Sequence, residues 1–344
     1  MRLYPLILLV AVLLLSGCAS TQWRYELTDK AELTWPAAPK RAKVVYVGAL
    51  HRFSPEGWSL ASLLLGKGDA GLIQEPVSVA VGLDGRIAIA EAGKQGVHLY
   101  IPAKQKYVLL FKGKEPFASP VSVMFDTSLR LYVADSAGRK VVIFDEAGAF
   151  AGELHPRQEE FGGPKPEEFG RPTGIAYGNG LLYVSDATRH LVHIFDSQNR
   201  YLRSIGGNGT ADGQFNMPTH LATDSNGMLY VNDAMNFRIQ VLDSDMTFMT
   251  RFGRHGDGSG DFAMSKGVAV DDTGAVYVVD ALFDAVQVFD PQKNFALTIG
   301  GQGSGPGQFW LPSGIFIDHA NRLYVCDRYN NRVQVFQVID FQPE

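Results

Sequence analysis

A five-residue pattern, Leu-Tyr-Val-x-Asp, recurs six times with small changes and constrains the fold more than any other feature of the chain. The copies are Ile87–Glu91, Leu131–Asp135, Leu182–Asp186, Leu229–Asp233, Val276–Asp280 and Leu323–Asp327. Their acidic ends are spaced by 44, 51, 47, 47 and 47 residues. A period in this range is typical of stacked supersecondary units, since one unit alone cannot bury its apolar face. The sequence therefore predicts an array of six similar units.

Each unit is predicted to contain four short antiparallel strands. In the fourth copy, the segments Pro218–Asp224, Met228–Asp233 and Arg238–Asp243 are separated by Gly- and Asn-containing turns, and Thr247–Phe252 follows them. Alternating apolar and polar residues, β-branched and aromatic enrichment and Gly/Asn/Asp punctuation are typical of strands joined by tight turns. Six units of four strands predict an all-β, six-bladed β-propeller of four-stranded antiparallel blades, in which radial repetition protects the sheet edges.

The ring must also close, and the two ends of the chain supply one incomplete unit between them. The last unit ends near the C-terminus without a convincing fourth strand, whereas Lys43–Leu50 resembles a fourth strand with no partners before it. We therefore expect residues 43–50 to complete the last blade, so that the propeller spans 43–344. Removal of 43–50 is then expected to destabilise the fold far more than removal of 19–40.

The N-terminus has the features of a bacterial lipoprotein leader. Arg2 precedes an apolar run from Leu3 to Leu15, which is shorter than the roughly 20 residues of a membrane span. The following Leu-Ser-Gly-Cys resembles a lipobox, which implies a signal peptide of residues 1–17 and acylation of Cys18. An ordinary cleaved signal peptide with an incidental Cys18 is the alternative. We expect residues 18–42 to form the acylated cysteine and a tether; by resemblance to Gram-negative lipoproteins, Ala19 favours the periplasmic side of the outer membrane.

Composition excludes some classes of partner and of covalent stabilisation. The net charge is −5 and no run of Lys or Arg occurs, which does not support binding to nucleic acid. If Cys18 carries lipid, Cys326 is the one remaining thiol and no intrachain disulfide is possible. A domain of roughly 300 residues buries about three quarters of its surface, so a hydrophobic core alone is sufficient.

The repeats resemble the NHL-repeat family. Its pattern of Pro-x-Gly-Ile-Ala-Val-Asp, then Gly-x-Leu-Tyr-Val-x-Asp, then Asn-x-Arg-Ile-Gln-Val-Phe is matched best by Pro172–Asp186, Pro218–Asp243 and Pro312–Phe336. The resemblance covers about residues 43–341. It implies the propeller fold but little about activity, because the family includes RNA- and protein-binding domains, a peptide-amidating lyase and bacterial lipoproteins. The chain is most similar to the lipoproteins.

The acidic residues that close the second strands could in principle form a ring of metal ligands. An Asp at a strand end also accepts hydrogen bonds from loop amides, and Asp233 and Asp327 are each followed five residues later by an arginine, Arg238 and Arg332. Because every blade repeats the motif, we interpret it as part of blade construction and predict no metal site.

One repeated position departs from the pattern in a single blade. Two residues after the start of each first strand, the six blades carry Ser78, Ser122, Gly174, His220, Gly267 and Gly314. His220 is predicted to lie near the mouth of the central channel, as a candidate ligand-binding residue or as a hydrogen-bonded structural histidine. In the amidating lyase of this family, histidines from several blades converge there on zinc, which needs about three protein ligands. Gly and Ser at the matching positions disfavour that chemistry here.

The face that carries the second-to-third loops and the fourth-to-first crossings, hereafter the loop face, is the predicted interaction surface. Exposed aromatic residues and arginines are enriched at protein interfaces. The candidates are Arg171, Arg189, His190, Met217, Phe237, Phe283, Trp310, Arg328 and Tyr329. For Phe237, Phe283 and Trp310, packing between blades is the alternative. Two insertions, 54–74 and 153–170, interrupt the repeat, and the first could hold a short amphipathic helix or a docking element.

These observations favour a lipid-anchored, extracytoplasmic, monomeric propeller that serves as a binding or scaffolding module. Its partner would be a protein or an envelope glycan on the loop face. No Ser-His-Asp or Cys-His arrangement follows from the motifs, so we predict no catalytic residues and no cofactor. A metal-dependent hydrolase or lactonase with its site in the channel is one alternative, and a structural lipoprotein within a larger envelope complex is another.

Overall fold

The computed structural model describes residues 22–56, 71–111, 115–156 and 168–339. The predicted signal peptide, Cys18, the central part of each insertion and the segment that could form an amphipathic helix lie outside the described residues. Strands dominate the described parts, where the helices are the 3-10 turns Pro102–Lys104, Ala234–Asn236 and Arg328–Asn330. Within these ranges, no helix has the length and apolarity needed to cross a membrane.

The strands form six antiparallel sheets, the blades, each with its strands in chain order from the channel outward. Blade 1 contains Pro76–Val81, Ile87–Glu91, Gly96–Ile101 and Lys106–Leu110. Blade 2 contains Pro120–Phe125, Leu131–Asp135, Lys140–Phe144 and Phe150–Leu154. Blade 3 contains Pro172–Gly178, Leu181–Asp186, Leu191–Phe195 and Tyr201–Gly206. Blade 4 contains Pro218–Thr223, Leu229–Asp233, Arg238–Leu242 and Phe248–Phe252. Blade 5 contains Ser265–Val270, Val276–Asp280, Ala285–Phe289 and Phe295–Gly300.

Blade 6 is assembled from both ends of the chain, which confirms the predicted closure. Its inner strands are Ile315–Ile317, Arg322–Asp327 and Arg332–Val338, and its fourth strand is Val44–Leu50. The fourth strand pairs antiparallel with the third along its length. The fold is therefore the predicted six-bladed β-propeller of four-stranded antiparallel blades, closed by an N-terminal strand.

The segment expected to be a tether differs from the prediction, because from residue 22 onward it packs on the outer rim of blades 6 and 1. Thr34–Trp35 adds a fifth strand to blade 6, and Trp23–Tyr25 pairs with Phe53–Pro55. The Trp35 ring meets Phe336 edge-on at 5.6 Å between centroids. The physical reason is apolar burial by a few large side chains, which an irregular segment provides without a sequence period.

The core consists of six apolar clusters, one at each interface between neighbouring blades. In blade 4, Leu229 and Val231 join the cluster shared with blade 3, whereas Tyr230 joins the cluster shared with blade 5. Because successive side chains of a strand point to opposite faces, the Leu-Tyr-Val repeat supplies both interfaces at once. The repeat is thus the packing unit of the ring.

Candidate functional site

The acidic residues that close the second strands are buried parts of the blades. The Asp233 carboxylate is fully buried and accepts hydrogen bonds from the Asn216 amide at 2.6 Å and from Nε of Arg238 at 2.8 Å. Asp135 accepts from the Ser119 amide at 2.7 Å. The amides bound in this way belong mainly to the crossing that precedes each blade. These carboxylates therefore fix the crossings, which supports their interpretation as structural groups.

The position that carries His220 joins the first strands of neighbouring blades. In three blades its side chain accepts a hydrogen bond from a backbone N–H of the next blade. The bonds run from Val123 to Ser78 Oγ (3.2 Å), from Ile175 to Ser122 Oγ (3.1 Å) and from Val268 to His220 Nδ1 (3.3 Å). We call this set of contacts the inner seam.

In the other three blades the inner seam brings backbones too close for a side chain. A Cβ at Gly174 would lie 2.8 Å from Cα of His220, and one at Gly267 would lie 2.9 Å from the Ser313 carbonyl oxygen. One at Gly314 would lie 2.7 Å from Cα of Ser78. The alternation of Ser, His and Gly noted in the sequence therefore has a structural cause, which is the local separation of adjacent first strands.

Burial sets the charge of the His220 ring, and the hydrogen bond from Val268 sets its tautomer. Burial lowers the pKa of His220 to about 4. The ring is therefore neutral at pH 7. Because Nδ1 accepts a hydrogen bond, the single ring proton lies on Nε2. Among the described residues, none accepts a hydrogen bond from Nε2.

His220 lines a central cavity of about 440 Å³. The walls are apolar side chains of the first strands, and the inner end is formed by the seam residues Ser78, Ser122 and His220. The mouth lies at the first-to-second turns, where Leu83, Thr127 and Asp272 are exposed. The cavity therefore opens on the face opposite the loop face, hereafter the turn face.

This location corrects the prediction that His220 lies at the channel mouth of the loop face. One residue nearer that face, the hydroxyl of Thr173 donates to the Pro218 carbonyl at 2.9 Å. The hydroxyl of Ser313 donates to the Pro76 carbonyl at 3.1 Å. These side chains bridge adjacent blades on the loop-face side of the inner seam. The ring of His220 therefore borders the cavity on the turn-face side.

Four of the five carboxylates near the cavity mouth are engaged by their own turns, and the fifth, Asp272, is exposed. Asp271 accepts hydrogen bonds from the amides of Thr273 (2.9 Å) and Ala275 (3.0 Å) and from the Tyr277 hydroxyl (2.9 Å). Blades 2, 4 and 6 repeat the Asp–Tyr pair with Asp126, Asp224 and Asp318. Within the described residues, no group of three or more His, Cys, Asp or Glu side chains is arranged to hold a metal ion. The residues of the cavity therefore do not fit the divalent metal that a lactonase-type site would need.

On the loop face, three cationic side chains lie close enough to repel one another. Burial lowers the pKa of Lys266, and the charges of Arg328 and Arg171 add to this effect while Asp280 opposes it. Arg328 pairs with Glu75 at 3.0 Å. We call Lys266, Arg171 and Arg328 the basic centre. Arg328 occupies a position that is Ala or Ser in the other five blades, so this cation is specific to blade 6.

An apolar strip lies on the same face, along blades 4 to 6. Its members are exposed by 37 to 55 %, and they are Met235, Met264, Leu282, Trp310 and Tyr329. The rings of Trp310 and Tyr329 lie 5.8 Å apart, and the Arg328 guanidinium lies over the Tyr329 ring at 5.3 Å. This last contact joins the apolar strip to the basic centre. Contiguous exposed apolar residues bordered by charge are typical of binding surfaces.

Two family models match the sequence of this chain. One, described as the NHL repeat, matches residues 169–195, and the other, described as a 6-bladed beta-propeller, matches 270–344. Residues 169–195 lie in blade 3, and the described part of the second range lies in blades 5 and 6. The chain is a six-bladed β-propeller with an NHL repeat in blade 3, hereafter the NHL propeller. A search of curated protein sequences gave no significant match to this NHL propeller.

Solved structures with the same fold have low sequence identity to the NHL propeller. Virginiamycin B lyase from Staphylococcus aureus is 14% identical, with a TM-score of 0.55 over 77% of this chain and 96% of that chain. A gluconolactonase from Xanthomonas campestris is 14% identical, with a TM-score of 0.57 over 78% of this chain and 87% of that chain. An auxiliary nutrient binding protein from Bacteroides thetaiotaomicron is 12% identical, with a TM-score of 0.58 over 78% of this chain and 70% of that chain. At these identities the likeness shows the fold alone.

The predicted loop-face residues of the NHL propeller separate into three groups. Arg171, Trp310, Arg328 and Tyr329 belong to the basic centre or the apolar strip. Phe237 and Phe283 are half-buried, and the Phe237 ring packs edge-on against His255 at 4.4 Å, as the packing alternative predicted.

The remaining predicted residues hold the crossings on either side of blade 3. Nδ1 of His190 accepts a hydrogen bond from the Met217 amide at 3.1 Å in the crossing to blade 4. Arg189 donates to the Glu168 carbonyl at 2.7 Å in the crossing from blade 2. Met235, Met264 and Lys266 were not among the predicted residues. Met235 and Tyr329 both lie two residues after a closing aspartate, so alignment of the repeats could have identified Met235.

Proposed function

We propose that this NHL propeller is a lipid-anchored, extracytoplasmic binding module whose loop face holds an acidic segment of a partner protein. The observation that carries the proposal is the contact of the exposed apolar strip with the basic centre through Arg328 and Tyr329. Large apolar side chains would supply the buried area, and the cations would orient acidic groups of the partner.

Charge complementarity favours an acidic partner. The whole chain has a net charge of −5, yet three cations lie close together on this face and Glu75 pairs with one of them. Lys266 is exposed while its pKa is lowered by partial burial and by its cationic neighbours. An approaching carboxylate would offset the repulsion between Lys266 and these cationic neighbours.

The lactonase-type alternative receives no support from the described residues, because they contain no group of metal ligands and four of the five cavity carboxylates bind their own turns. The lyase and the gluconolactonase share the fold of this chain at 14% identity, and a shared propeller fold does not transfer an activity.

Anchoring is proposed from the Leu-Ser-Gly-Cys sequence that ends at Cys18. Its test is the Cys18→Ser variant of the full chain expressed in a Gram-negative bacterium. Labelled fatty acid should be incorporated into the wild type and not into the variant, and the variant should leave the outer-membrane fraction. Equal labelling of both proteins would disprove acylation at this cysteine.

Site-specific photo-crosslinking in cells tests the proposed binding surface. A photoreactive amino acid at Leu282 or Met235 is expected to capture the same protein, whereas the same amino acid at Leu202 or Phe150 is not. The two control residues are exposed by 51 and 55 %, and they lie on outer strands away from the loop face.

Titration with the purified captured protein then tests the charge argument. Lys266→Glu should weaken binding by about ten-fold, since a like charge would face the acidic segment. Lys106→Glu, on the outer strand of blade 1, is the matched control. Capture from all four positions alike, or equal affinities of the two charge variants, would contradict the proposal.

A further inference from the structure

We propose that the central cavity is a second binding site, independent of the loop face, for a small uncharged molecule with an apolar body and one hydrogen-bond acceptor. The cavity has the size of a ligand pocket: its volume of about 440 Å³ lies within the roughly 300–1,000 Å³ range of small-molecule sites. Its polar groups are concentrated at the inner end and at the mouth, and apolar side chains lie between them.

Partly exposed apolar residues line the wall between the inner end and the mouth. Five first strands contribute to it, with Met124, Tyr177, Ala222, Val270 and Phe316. The layer next to the inner seam is almost fully buried and belongs to the clusters between blades. A ligand body that displaces water from the partly exposed residues gains hydrophobic free energy in proportion to its apolar area.

At the inner end, His220 is the polar side chain that is partly exposed to the cavity, whereas Ser78 and Ser122 are 3 and 1 % exposed. Its Nδ1 accepts the hydrogen bond of the inner seam, which leaves the Nε2 proton without a partner among the described residues. Blades 1 and 2 make the same seam contact with Ser78 and Ser122, so the contact itself does not require an imidazole. What histidine adds is a longer side chain with a second nitrogen, whose proton a carbonyl or ether oxygen at the buried end of a ligand would accept.

The charges near the cavity favour an uncharged ligand. The described lining residues include five aspartates and no Lys or Arg, so an anion would be repelled at the mouth. Asp126 and Asp318 pair with Arg130 and Arg322, at 2.6 and 2.8 Å. Asp224 and Asp271 accept hydrogen bonds from Tyr230 and Tyr277, and Asp272 is exposed to water. The inner end carries hydroxyls and a neutral imidazole, so a buried cation would remain unpaired there, which costs several kcal/mol.

The test uses the chain from residue 18 to residue 344 with Cys18→Ser, which contains every described residue. The probe is prodan, an uncharged naphthalene with one ketone whose fluorescence shifts to the blue in apolar surroundings. We expect saturable binding of one prodan per chain. The His220→Ser variant retains an acceptor for Val268 and should bind about five-fold more weakly, the effect of one hydrogen bond. Val270→Trp, which adds bulk to the cavity wall, should abolish the blue-shifted signal.

Two controls separate this site from the loop face and from misfolding. Leu282→Ser and Trp310→Ala should leave prodan binding unchanged, because both residues lie on the opposite face. Thermal melts should confirm that each variant is folded. If Val270→Trp does not fold, the ¹⁵N resonance of His220 Nε2 in the wild type should still move on addition of prodan. Absence of saturable binding, loss of binding in the loop-face variants, or wild-type affinity of His220→Ser would overturn the proposal.

Discussion

Leu50 lies opposite Val333 in blade 6, in a ladder that ends with Val44 opposite Val338. These pairs join the beginning of the described chain to its end, and their side chains fill the clusters that blade 6 shares with blades 5 and 1. The two ends of the ring are therefore joined within blade 6 by noncovalent contacts alone.

Removal of the closing strand should abolish cooperative folding. A chain that lacks residues 43–50 exposes the edge of Arg332–Val338 and opens two apolar clusters, whereas a chain that lacks 22–40 loses rim contacts only. Thermal unfolding followed by circular dichroism should show no cooperative transition for the first chain and a transition at lowered temperature for the second. Similar melts for the two deletions would contradict the closure.

Replacement of Trp35 tests whether the N-terminal segment is part of the fold. Trp35 packs on Phe336 and on the crossing at Gly307, where a Cβ would lie 2.7 Å from its ring. Since Trp35 is half-buried, Trp35→Ala should lower the free energy of unfolding by about 1–3 kcal/mol. Urea denaturation measures this, with the exposed Trp310→Ala as the control, which should change it by less than about 0.5 kcal/mol. A free tether would give no effect for either variant.

The low pKa of His220 should make folding sensitive to acid. The pKa is about 4 in the folded chain and about 6.5 in an unfolded one, so the unfolded state binds more protons between these values. The contribution of the neutral imidazole is fully present above pH 6.5 and is lost as the pH falls toward 4. The difference in melting temperature between wild type and His220→Ser should therefore shift in favour of the variant from pH 7 to pH 4.5. A constant difference would show that the imidazole titrates normally.

The buried pair of Asp327 and Arg332 should be costly to break. Asp327 Oδ2 accepts from Nε of Arg332 at 2.8 Å, and both residues are almost fully buried. Asp327→Ala leaves a buried guanidinium with Asp29 as a more distant carboxylate at 3.5 Å, so we expect a loss of about 3–5 kcal/mol. Asp212→Ala removes an ion pair whose members are each 50% exposed and should cost less than about 1 kcal/mol. If urea denaturation gave similar losses in the free energy of unfolding for the two variants, burial would not determine the cost of breaking an ion pair in this protein.

Features that repeat along the chain were predictable from the sequence. Features that depend on which distant segments pack against each other were not. The six Leu-Tyr-Val-x-Asp copies predicted the blades, and the unpaired strand at Val44–Leu50 predicted the closure. The packing of Trp35 had no sequence signal, because an irregular segment has no period to identify its buried side.

The sequence predicted that the position of His220 is unusual, but it did not predict on which side of the inner seam the ring lies. The side depends on a register shift between Pro218 and His220 and on the bridging hydroxyls of the neighbouring blades. Lys266 becomes a neighbour of Arg328 because the ring brings together segments that are distant in sequence. The repeat pattern alone does not reveal this proximity.

Closure of the ring by its N-terminal strand also determines how the molecule would bear mechanical load. Tension applied at residue 22 would first detach Trp23–Tyr25 from Phe53–Pro55 and then Thr34–Trp35 from the edge of blade 6. The closing strand Val44–Leu50 would be loaded last, after these outer contacts had yielded one after another. The outer contacts of residues 22–35 would thus break before a force applied at the N-terminus reaches the six blades.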